Sequence, residues 1–171
     1  MIRKVLITGP EATGKSSLCK QLADYHNDLW VQEFAREYLM NTGGEYKVAD
    51  LDVMLRGQLL AEHEAASQAE KLIFCDTGPE NFFVWSRFKY NEVSDFIRKQ
   101  VSEMSYDLVL LLDVDLPWEN DPLRENPSLE ERQSILELFE KVLTDHQVDF
   151  QLISGQGEAR FQLANQIICS H

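Results

Sequence analysis

IRKVLITGPEATGKSSLCKQLADYH, residues 2–26, joins an apolar run to a glycine-rich turn and then to an amphipathic stretch. Residues 2–8 read as a short buried strand. In residues 14–26, Leu18, Leu22 and Tyr25 fall on one helical face. Between them Gly9, Gly14, Lys15 and Ser16 match G-x-x-x-x-G-K-[ST], in the strand-to-helix setting that gives the pattern its meaning. Glycines let the backbone wrap so that its N–H groups converge on an anion. A helix starting near Gly14 aims its positive end at the same point. The turn Gly9, Glu11, Ala12, Thr13, Gly14, Lys15, Ser16 and Ser17 is therefore read as a loop for a nucleoside triphosphate with Mg²⁺. Lys15 would bridge the β- and γ-phosphates, the Ser16 hydroxyl would reach the metal, and Ser17 the α-phosphate.

Outward from this turn, apolar runs alternate with helical patterns. LWV (29–31) is a second short strand, and residues 33–40 form a helix closed by Gly43 and Gly44. Residues 50–70 carry a long helical pattern with Leu51, Leu55, Leu59 and Leu60 spaced for one face. KLIFCD (71–76) is a strand, Pro79 suits the first turn of a helix, and the helical pattern onward to Met104 breaks near Asn91. YDLVLLLDVD (106–115) is another buried strand. A helix over 128–146 opens with the capping pair Ser128 and Glu131. DFQLISG (149–155) is a last strand and residues 157–170 a last helix. Continuous apolar strands joined by helices predict an α/β fold with a parallel sheet covered on both faces. The expectation is a three-layer P-loop kinase fold, five strands in the order 2-3-1-4-5, in one domain over residues 1–171.

The formal charge is −13, which argues against a nucleic-acid backbone as partner. No segment resembles an export signal or a membrane helix, so a cytoplasmic protein with no membrane or nucleic-acid partner is expected. Cys19, Cys75 and Cys169 each lie in an apolar pattern and read as buried thiols. The four histidines show no metal-ligand spacing. Nothing in the sequence sets an oligomeric state.

A P-loop protein needs an acid at the end of a neighbouring strand to orient its metal. In the strand order above, Asp76 ends the strand beside the phosphate loop and fits that place; the other reading of Asp76 is a cap on the next helix. Asp113 and Asp115 read as the end of a strand and the start of a loop. Glu33 and Arg36, three apart on a helix after strand 2, would face the cleft and bind sugar hydroxyls, with either Glu33 or Asp76 as the base. The alternative is an exposed ion pair between them. LPWENDPLRENP (116–127) has no periodicity, and with Asp115 it reads as a lid-like loop over 115–127. Arg124 is its arginine for the moving phosphoryl group, and Trp118 would stack on a ring.

GPEATGKSS, VQEFAREYL, LIFCDT, YDLVLLLDVDLPWENDPLREN and ISGQGEAR follow one another in an order that resembles the ribosylnicotinamide kinase domain of NadR-type proteins and their stand-alone, AAA-like P-loop relatives. The resemblance implies an ATP-dependent kinase that phosphorylates the 5′-hydroxyl of nicotinamide riboside to nicotinamide mononucleotide. It implies ATP and Mg²⁺ as cofactors, held through Lys15, Ser16 and Asp76, with Arg124 on the lid and Gly155 and Gly157 flanking the adenine. The chain departs from the family where DTD becomes DTG, with Gly78 and Pro79 after the aspartate, and at Gln32. Those departures keep two other readings open: a kinase of another nucleoside or nucleotide, or a P-loop ATP-binding switch.

Overall fold

Val5 and Ile7 face one side of the central strand and Leu6 the other, as expected when both faces of a strand are covered. In the computed structural model, which describes residues 2–171, this strand is β1, Arg3–Thr8. The same alternation holds in β3 (Leu72–Asp76) and β4 (Leu108–Leu112), whose residues are all buried. Two short strands, β2 (Leu29–Val31) and β5 (Gln151–Ile153), complete a sheet of order β2-β3-β1-β4-β5 among the described residues. Every pairing is parallel; in register, Ile7 sits opposite Asp76 on β3 and Leu110 on β4.

Helices cover both faces. On one lie α1 (Lys15–His26) and α7 (Gly157–Ser170), packing Leu18, Leu22, Phe161 and Ile168 against Val5, Ile7, Phe74 and Leu110. On the other lie α2 (Phe34–Thr42), α3 (Val48–Gln68), α4 (Pro79–Trp85), α5 (Asp95–Ser102) and α6 (Leu129–Asp145). Here Met54, Leu55, Phe82, Ile97 and Phe139 close over Leu6, Ile73 and Leu111. This is the three-layer P-loop kinase fold expected from the phosphate-loop motif and the alternation of strands with helices.

Local signals act where expected. Gly43 ends α2 in the left-handed region, Pro79 opens α4, and the Ser128 hydroxyl accepts from the Glu131 amide. The break near Asn91 is real, with φ at 53°. Before it the helix widens into a π-helical turn over Ser86–Tyr90, which periodicity does not reveal. Three expectations fail. Leu60, read as part of the apolar face of α3, is 58 % exposed. Tyr25 is 64 % exposed, because the core of α1 is made by Leu18, Cys19, Leu22 and Ala23 instead. Cys169 is exposed near the C-terminus, while Cys19 and Cys75 are buried. Among the described residues no helix is long and apolar enough to cross a membrane.

Candidate functional site

The turn after β1 is built by close approach. Gly9 has φ +135°, and a Cβ there would stand 2.8 Å from the Leu112 carbonyl oxygen. Only glycine allows both. Gly14, at φ 80°, caps α1. The Lys15 ammonium crosses the turn and donates to the Gly9 and Pro10 carbonyls at 2.9 and 2.8 Å. The Thr13 hydroxyl also donates to the Pro10 carbonyl, at 2.8 Å.

An arginine that sequence reading left without a role holds the outside of this turn. Arg160, buried at the start of α7, donates to the Thr13 carbonyl and, at 2.6 Å, to the Gly155 carbonyl. It also pairs with Asp115. All peptide bonds of the described residues are trans, so a Thr13 carbonyl turned toward Arg160 turns the Gly14 N–H away from it. Gly155 and Gly157 stand on this outer side, Gly155 donating to Asp115 at 2.5 Å. Neither lines the cleft described below.

Asp76 ends β3, fully buried, and accepts the Ser16 hydroxyl at 2.5 Å on Oδ2. Its Oδ1 is buried with no hydrogen-bond partner. Burial pushes its carboxyl above the usual range, and the nearby Lys15 ammonium opposes the shift. It does not cap α4, whose N-cap is Gly78. Thr77 follows at φ 69°, a conformation unfavourable for a β-branched residue and typical of backbone held in place around a site.

Glu33 stands at the N-cap of α2, half-buried, and lines the cleft described below. Burial first, and then the Asp76 charge, push its carboxyl up to about 7. Lys15 and Arg36 pull it down. The alternative reading, an ion pair between Glu33 and Arg36, is not what forms; Arg36 binds Asp121 at 2.7 Å. Gln58 links the backbone beside one acid to the backbone beside the other. Buried on α3, it accepts the Phe34 amide at 2.9 Å and donates to the Thr77 carbonyl at 3.4 Å. The neighbouring Gly57 leaves the room that the Phe34 ring fills. A glutamine seven residues after Leu51, on the apolar face of a helix, was the available signal.

A cleft, about 1020 Å³ with its open-solvent space included, is lined by the phosphate loop together with Glu33 and Arg36. Leu39, Tyr46, Leu51, Met54, Phe82 and Trp85 give it an apolar chamber, with Asn81 also in its lining. Arg124 lines it from the 115–127 loop, its guanidinium held by the Glu119 carbonyl at 2.9 Å. Trp118 does not line it. That ring lies beside the guanidinium groups of Arg124 and Arg132, and its N–H donates to Asn120 at 3.1 Å.

The sequence matches the family described as AAA domain over residues 4–160. It is 28 % identical over 153 residues to the trifunctional NAD biosynthesis/regulator protein NadR of Escherichia coli K12, and equally to that of Salmonella typhimurium LT2. Each alignment covers 87 % of this chain and 37 % of the relative, so the chain spans just over a third of their length. A crystal structure of NadR protein in complex with NR superposes at TM-score 0.83 with 21 % identity, over 99 % of this chain and 51 % of that one. Deoxyadenosine kinase from M. mycoides superposes at 0.63 with 14 % identity, over 98 % of this chain and 100 % of that one. These structures share the fold.

Proposed function

The chain belongs to the AAA domain family, and from that premise we propose that it is an ATP-dependent nucleoside kinase, with the 5′-hydroxyl of nicotinamide riboside as leading acceptor. One observation carries the reading: a single cleft is lined by the phosphate loop, by Glu33 and Arg36, and by the side chains of an apolar chamber. A purely nucleotide-reading switch has no use for such a chamber. The NadR relatives favour the nicotinamide riboside acceptor.

The residues divide the work. Lys15 and the amides of residues 12–17 would hold the triphosphate, with Ser16 and Asp76 beside Mg²⁺. The donor set fits that ion: a hydroxyl, one carboxylate with a free buried oxygen, and no cluster of three or more protein acids among the described residues. Bound there, it would neutralise charge on the β- and γ-phosphates. The acceptor base would enter the apolar chamber and its sugar would meet Glu33 and Arg36. The acceptor hydroxyl oxygen attacks the γ-phosphorus, its proton passes to Glu33, and the bond to the β-phosphate oxygen breaks to release ADP. Arg124, on a lid at 115–127 of a single domain, would meet the charge on the moving group.

The test is acceptor-dependent ADP release across a panel of ribosides with ATP and Mg²⁺. Nicotinamide riboside should give the highest rate. A higher rate with another nucleoside would favour the second reading, which the segment Gly78–Trp85 supports because its Asn81, Phe82 and Trp85 line the chamber. No acceptor-dependent release with any of them refutes the kinase reading and leaves an ATP-binding switch.

A further inference from the structure

Glu11 lies within a turn that would hold a triphosphate, where a carboxylate repels the phosphates it should attract. Its contacts explain its presence. The carboxylate reaches the 115–127 loop, accepting the Glu125 amide at 3.2 and 3.1 Å and the Asn126 amide at 3.0 Å. The Asn126 side-chain N–H also donates to it, at 3.3 Å. Arg124 is the residue just before these amides, and its guanidinium bonds only within its own loop. So the side chain aimed into the cleft is placed by its backbone, and its backbone is fastened at 125 and 126.

We propose that Glu11 is a positioning residue, whose carboxylate pins residues 125 and 126 to the phosphate loop and so sets where Arg124 stands over the cleft. The proposal rests on the kinase reading above. The start of the loop is held by Asp115 to Arg160 and Gly155 and by Leu116 to Arg132; nearer Arg124, two other contacts hold it, Asp121 to Arg36 at 2.7 Å and Glu125 to Lys89 at 2.7 and 2.9 Å. Those partners lie on α2 and on the π-helical turn, on the acceptor side of the cleft. Glu11 supplies the contact from the nucleotide side. The three together tie the lid arginine to both substrates' walls, and only Glu11 does so through charge-assisted bonds to backbone amides, which fix main-chain position.

Two measurements on the full chain decide this. Amide hydrogen exchange, without nucleotide, should be about tenfold or more faster at residues 125–126 in Glu11→Ala than in wild type. Glu11→Gln, which keeps one accepting oxygen, should fall between them. In ADP release, Glu11→Ala should lower kcat about tenfold while KM for ATP changes less than about threefold. Glu11→Ala combined with Arg124→Ala should be no slower than Arg124→Ala alone. Unchanged exchange at 125–126 overturns the tether. Additive losses in the double variant, or a raised KM for ATP with kcat intact, overturn the positioning of Arg124. If wild type shows no acceptor-dependent release, the kinase reading fails and the Arg124 role falls with it, while the exchange data still decide the tether.

Discussion

Putting an acid at position 78, where the resembling family carries one, should damage this chain. The backbone at Gly78 is extended, at φ −142° and ψ −165°, so any residue can adopt it. Space is the obstacle. A Cβ there would stand 2.7 Å from the Glu80 carboxylate, 2.8 Å from the Tyr106 hydroxyl and 3.1 Å from the Leu6 methyl. The Tyr106 hydroxyl is bound to Glu62 at 2.8 Å, and Glu62, Glu80 and Leu6 are almost wholly buried, so none yields freely. Gly78→Ala overpacks this site, at a cost of about 1–3 kcal/mol. Gly78→Asp adds a second buried carboxyl beside Glu80, which adds roughly another 1–3 kcal/mol. For a chain of this size each kcal/mol lowers Tm by roughly 2–4 °C. Reversible thermal unfolding by circular dichroism should therefore show Gly78→Ala a few degrees low and Gly78→Asp lower by roughly 5–20 °C. A Gly78→Ala Tm equal to wild type would mean that Glu80 and Tyr106 move aside without cost. A Gly78→Asp Tm no lower than that of Gly78→Ala would mean that the acid reaches water, and the clash as drawn would be wrong.

Burial pushes Glu80 from the ordinary 4.5 up to about 7. The folded protein therefore holds a proton that the unfolded chain releases above pH 4.5 or so. This contribution, about 3 kcal/mol for a group with no exposed surface, is present at pH 4 and lost as pH rises through 7. Urea unfolding of Glu80→Gln should show a weaker fall in stability between pH 5 and pH 8 than wild type. Lys15→Ala should weaken ATP binding about tenfold or more by calorimetry, since it removes the ammonium that crosses the loop. Arg160→Lys keeps the charge and loses the fork that reaches Thr13, Gly155 and Asp115 together, so it too should weaken ATP binding severalfold. With Glu33 raised to about 7 by burial and the Asp76 charge, its base form fills as pH rises through 7. Turnover should rise over that range in wild type and lose this limb in Glu33→Gln.

Local chemistry carried much of this molecule on its own. Val5, Leu6 and Ile7 demand cover on both faces, and Gly9, Gly14, Lys15 and Ser16 bring phosphate-binding chemistry to the strand's end. Gly43, Pro79 and Asn91 mark real ends of elements, because caps and turns act over a few bonds. Asp76 meets Ser16 because β3 lies beside β1, as the P-loop kinase arrangement leads one to expect once the phosphate-loop motif is read. What lay beyond reach depended on contacts far apart in the chain. Tyr25 has the spacing of a core residue and still faces solvent, since the core of α1 closes without it. Glu33 and Arg36 are three apart, yet Asp121 takes the arginine from a loop that no periodicity describes. Arg160 is unremarkable in sequence, Gln58 shows only as a polar residue on an apolar helix face, and Glu11 only as a member of the phosphate loop. Each gains its role from a backbone group brought to it by folding: the Phe34 amide, the Thr13 carbonyl and the Glu125 amide. Hydrogen bonds to main-chain atoms leave no pattern in side-chain identity, so those placements belong to the assembled structure alone.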